Sequence, residues 1–83
     1  MAMPKKLRPR RRINIPPEAV MASTTARWLW QYARSDITFT IATVAARSGI
    51  PEATFEPTVA WFVGQKWIER VPNQTQVVYV GRV

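Results

Sequence analysis

The stretch that most limits how this chain can fold is Ser48-Gly49-Ile50-Pro51, set inside the run from Thr40 to Ile68. Thr40 suits a helix N-cap, because its hydroxyl can accept from a first-turn amide that the helix leaves unpaired. Ile41, Val44 and Ala45 then recur at helical spacing on one face. Gly49 follows where that face stops, and glycine adopts the left-handed conformation that ends a helix at little cost. Ile50 returns to the core. Pro51 has a helical φ and no amide to leave unsatisfied, which suits the first position of a second helix. The small side chain of Ala45 lets the two helices cross closely. The run therefore predicts two packed helices joined by a sharp turn.

A chain of 83 residues accommodates one small domain with a modest core. It contains neither cysteine nor histidine, so disulfides, thiolate metal sites and imidazole ligands are unavailable. No cofactor or metal is expected. No glycine-rich phosphate loop or paired-carboxylate motif is present, which argues against an enzyme. No apolar run is long enough to span a bilayer, and the basic N-terminus leads into Ile13-Asn14-Ile15-Pro16-Pro17 instead of a signal-peptide core. The expected compartment is the cytoplasm.

The net charge of +7 is unevenly placed. Lys5, Lys6, Arg8, Arg10, Arg11 and Arg12 put six cations and no acid in the first twelve positions. From Ile13 onward, six basic residues face five acidic ones, a net of one positive charge. Pro4 and Pro9 interrupt the basic run, so it cannot form one regular helix. Residues 1–15 are expected to be a solvated, flexible arm, and residues 16–83 the folded domain. Such an arm gains affinity for polyanions by displacing counterions from phosphates. Arginine, which predominates between Arg8 and Arg12, also suits a narrow minor groove. The arm has no amphipathic face, so a membrane surface is a poorer partner.

Past the arm, a helix is expected either from Pro17-Glu18 or from Ser23 as an N-cap, running to Arg34. Thr25, Trp28, Leu29 and Tyr32 are its predicted core face. Trp30 lies about 200° from Trp28 around the axis, so both cannot face one core. Either the Ile13–Pro17 segment covers Trp30, or Trp30 is an exposed anchor for a partner such as a second copy of the chain. Ile37 to Thr40 reads as a short strand. Trp67–Val71 and Gln76–Val80 read as a hairpin around Pro72-Asn73-Gln74-Thr75. Trp61, Phe62 and Trp67 are expected to cluster with Trp28 and Phe55.

The order of helix, short strand, helix, turn, helix and hairpin over Thr24 to Val83 resembles the winged helix-turn-helix family. The likeness is carried by T-I-A-T-V-A-A-R-S-G-I-P-E-A-T and by K-W-I-E-R-V at the exit into the wing. It implies an α+β domain with a three-helix core and a small antiparallel sheet. It further implies a second helix in the major groove, a wing near the backbone or minor groove, and often a dimer.

The sequence departs from that pattern at the reading helix. Its outward positions are Glu52, Ala53, Glu56, Pro57 and Ala60, none of them basic, and glutamates near phosphates read a groove poorly. Pro57 should kink a helix that begins at Pro51, unless the helix begins at Thr54. Lys66 stands where the family often has glycine, and Gly64 is expected to end the helix instead. Duplex DNA is thus the expected partner, contacted by Lys5, Lys6, Arg8, Arg10, Arg11, Arg12, Arg47, Thr54, Arg70, Asn73, Gln74 and Gln76. This reading describes a transcriptional regulator or accessory factor. The alternative is a module binding a protein through Trp30, Glu52 and Glu56, or one binding RNA.

Overall fold

The computed structural model describes residues 16–83, and the six cations of the arm lie outside them. Four helices and three strands follow one another: α1 (Glu18–Met21), α2 (Thr24–Ala33), β1 (Thr38–Phe39), α3 (Ile41–Ser48), α4 (Glu52–Gly64), β2 (Ile68–Arg70) and β3 (Tyr79–Gly81). The result is a small α+β domain with an antiparallel sheet in the order β1-β3-β2. Among the described residues, no helix is long and apolar enough to cross a membrane.

Both candidate starts of the first helical region are used. Glu18 opens the single turn of α1, and Ser23 then caps α2 by accepting from the amide of Ala26 at 3.3 Å. One more helix therefore forms than the three-helix core expected. The buried stripe of α2 is Ala26, Leu29, Trp30 and Ala33. That is the predicted spacing displaced by one residue, or about 100° around the axis. The displacement has a steric cause, because the end of α2 must accept the last strand at backbone distance. A Cβ on Gly81 would collide with the carbonyl oxygens of Tyr32, Ala33 and Ser35. The amide of Val83 donates to the Ala33 carbonyl at 3.0 Å. The small side chain of Ala33 suits this approach, while Trp28 and Tyr32 remain partly buried at the margin.

Trp30 is consequently no exposed anchor. It is 4% accessible, and its ring meets Trp67 at 5.2 Å and Phe62 at 6.2 Å, both edge-on. Trp61, Phe62 and Trp67 cluster as expected, with Trp30 as the further member in ring contact. Phe55 is fully buried in the same core. Pro16, Val20 and Met21 border Trp30 from the side where the chain enters the domain. That favours the covered alternative, although Ile13 to Ile15 lie outside the described residues.

Thr40 caps α3 as expected, accepting from the Thr43 amide at 3.2 Å. Gly49 ends it in the left-handed region at φ 77°. Ser48 adds a brace to the turn: its hydroxyl donates to the Ala45 carbonyl at 3.2 Å and accepts from the Ile50 amide at 3.1 Å. Pro51, with ψ 145°, is still extended and serves as the N-cap, so α4 begins one residue later than expected, at Glu52. Thr54 is not a start, because it lies within the first turn, where its amide donates to the Pro51 carbonyl at 3.0 Å. The helix continues through Pro57. Pro57 withholds the amide that the Ala53 carbonyl would receive, but both residues are exposed, within reach of water. Phe55, Thr58, Val59 and Phe62 form the buried stripe of α4. Thr58 joins α2 through a 2.6 Å hydroxyl contact with Thr25.

Gly64 is the last residue of α4, as expected, but the left-handed position that follows falls to Lys66, at φ 64°. The amide of Lys66 donates to Val63 and that of Trp67 to Phe62, each at 3.0 Å. These are the paired reverse bonds of a Schellman termination, and the Phe62–Trp67 ring contact at 5.1 Å is its accompanying apolar contact. In the sheet, Ile68 pairs with Gly81, and Phe39 and Arg70 both pair with Tyr79. β3 thus lies further along the chain than the predicted Gln76–Val80. A bond from the Val71 amide to the Val78 carbonyl at 2.8 Å extends the hairpin, leaving a wider loop than Pro72 to Thr75.

Two substitutions test these packing statements. Gly81→Ala should lower stability by at least about 3 kcal/mol, because backbone oxygens cannot yield as a side chain can. A urea midpoint equal to wild type would contradict that contact. Lys66→Gly should raise stability by about 1 kcal/mol by relieving the left-handed lysine, an upward Tm shift of about 4–8 °C. An unchanged or lower Tm would contradict the strain.

Candidate nucleic-acid interface

The elements place the expected contact residues in separate regions. Arg47 occupies the last turn of α3. Thr54 is exposed on α4, Arg70 closes β2, and Asn73, Gln74 and Gln76 are exposed in the hairpin loop. Asn73 is left-handed at φ 64°, a conformation that asparagine tolerates better than most residues. Lys5, Lys6, Arg8, Arg10, Arg11 and Arg12 lie outside the described residues.

The expected outward face of α4 is correct in its composition. Glu52, Ala53, Glu56, Pro57 and Ala60 are all exposed. Glu52 and Glu56 do not stand on a flat face, however. With Ile41, Val59, Ala60 and Tyr79 they line a groove of about 370 Å³ between α3, α4 and β3. A second hollow of about 220 Å³ carries this surface from Glu52 to Thr40, Ala42, Gln76 and Val77. Among the described residues, no cation lines either hollow. Gln76 is thus brought beside Glu52 at the start of an acidic helix.

The cations gather elsewhere. Val63, Lys66, Ile68, Glu69, Arg70 and Arg82 line a groove of about 380 Å³ where α4 passes into β2. Arg82 and Glu69 form an ion pair at 2.7 Å through Nε, with both side chains largely exposed. A pair in that setting adds little stability, but it fixes the direction of the guanidinium. Three cations and one carboxylate leave this lining positive. Arg70 was legible from sequence as a flanking residue of the hairpin. Lys66 and Arg82 come beside it because the Schellman turn sends the chain from α4 directly into β2, and the Arg82 amide bonds to the Trp67 carbonyl at 2.8 Å. The available sequence signal was a lysine in a position suited to glycine.

A scan against protein-family models and searches of curated proteins and of solved structures found no match. The functional reading therefore rests on the charges, grooves and fold of this chain.

Proposed function

We propose that this protein is a small duplex-DNA-binding factor of winged helix-turn-helix type, a transcriptional regulator or accessory protein. The α3–turn–α4 unit is its helix-turn-helix and the β2–β3 hairpin its wing. The observation that carries the reading is the segregation of charge. Six cations without an acid occupy the first twelve residues, while the rest of the chain has a net charge of one. Density of that kind on a tethered arm gains affinity by counterion release with little sequence preference.

In this reading the arm supplies most of the affinity, and the basic residues of the hairpin side orient the domain. Glu52 and Glu56 keep the first half of α4 from making the usual base contacts, since carboxylates are repelled by the flanking phosphates. Sequence selectivity is then modest, unless two copies bind symmetric half-sites. Trp30 is buried, so it does not serve as a dimer anchor.

The groove containing Glu52 and Glu56 favours a second reading, in which the domain receives a basic peptide of a protein partner. Its apolar floor and carboxylate rim suit a lysine- or arginine-rich segment with interspersed aliphatic residues.

The two readings differ in a measurable way. Deleting residues 1–12 should weaken duplex binding at least tenfold at physiological salt and reduce the slope of log affinity against log salt by about 3–5. Glu52→Gln should leave that affinity unchanged or raise it. Unaltered binding after the deletion would exclude the arm as the source of affinity. Loss of a protein complex in Glu52→Gln/Glu56→Gln, without any duplex binding by the wild type, would establish the second reading.

A further inference from the structure

Lys66 presents a conflict between backbone and side chain. A left-handed residue at a helix C-terminus is ordinarily glycine, because a Cβ is strained there. Lys66 holds φ 64°, and glycine stands two residues earlier, as the last helical residue, where its freedom is of no use. Strain kept at a single position calls for a reason in what the side chain does. The lysine lines the groove of about 380 Å³ that also contains Arg70 and Arg82. Glu69 occupies Nε of Arg82, so the terminal amino groups of that guanidinium extend past the ion pair. Val63, 40% accessible, gives the same groove an apolar wall.

Three cations around an apolar wall match one repeating ligand, a phosphodiester with its sugar. The charges can contact successive phosphate oxygens, and a valine methyl can rest on deoxyribose. The other groove, with Glu52 and Glu56, has no cation in its lining among the described residues.

We propose that Lys66, Arg70 and Arg82 form a phosphate-backbone subsite at the α4–β2 junction of the DNA-bound protein. This proposal rests on the DNA-binding reading and adds its folded contact surface. Lys66 is retained in a strained position because its charge is needed there, so stability and binding oppose each other at that residue.

The full-length chain should be tested by fluorescence anisotropy with a short labelled duplex across a salt series, with Tm measured on the same samples. Lys66→Gly should raise Tm while weakening binding about three- to tenfold and reducing the salt slope by about 0.9, one phosphate contact. Arg70→Gln should cause a similar loss at unchanged Tm. Lys66→Arg, which keeps the charge and the strain, should retain wild-type affinity. Wild-type affinity and slope in both Lys66→Gly and Arg70→Gln, with deletion of residues 1–12 still damaging, would overturn the subsite and leave the arm as the binding element. Absence of duplex binding by the wild type at low salt would overturn the DNA-binding reading and the subsite with it.

Discussion

The contact of Trp30 with Phe62 and Trp67 joins the helical and sheet parts of the domain, and the placement of the α4–β2 groove follows from it. Each of the three rings comes from a different part of the fold: α2, α4 and the first residue after the turn into β2. Burying one such ring removes roughly 150–250 Å² from water, and an edge-on pair adds about 0.5–1.5 kcal/mol. The cluster also fixes the exit of α4, because Phe62 and Trp67 are the two residues joined by the outer reverse bond of its termination. With that exit fixed, Lys66 must take the left-handed position and β2 must begin at Ile68. The C-terminal strand then docks by its backbone, with Gly81 against the end of α2 and the Val83 amide on Ala33.

Much of the element order was legible in the residues, because it depends on local chemistry. Ser23, Thr40 and Gly49 announce their caps through hydroxyl and backbone properties that need no tertiary context. The face of α2 was less accessible, since Thr25-Trp28-Leu29-Tyr32 and Ala26-Leu29-Trp30-Ala33 have identical spacing. Side-chain size favours the first set. The need for Gly81 and Val83 to approach the backbone favours the second, and that need is a long-range contact. The register of β3 was hidden for the same reason. Residues at the basic groove were visible one by one, but their convergence depends on the turn at Lys66, where the sequence resembles neither a usual glycine cap nor a continuing helix.

Charge is arranged on this frame so that the domain presents two unlike grooves. Among the described residues, the α3–α4–β3 groove is lined by carboxylates and no cation, while the α4–β2 groove is lined by three cations and one carboxylate. A polyanion is repelled by the first and attracted by the second. The proposed DNA-binding mode follows from that polarity, with the arm reaching along the backbone and the α4–β2 junction docking beside it. The helix pair that gives the domain its architecture is then chiefly a support. This division separates fold from contact, since the same helices can be kept while the binding face moves to a neighbouring junction.

The most direct test is an NMR titration of the full-length protein with duplex DNA at moderate salt, followed by amide and side-chain shifts. The largest changes should fall on residues 1–12 and on Lys66, Arg70 and Arg82, with Glu52 to Ala60 nearly unmoved. Largest changes along Glu52 to Ala60, with the α4–β2 junction silent, would contradict the assignment of binding to the cationic side.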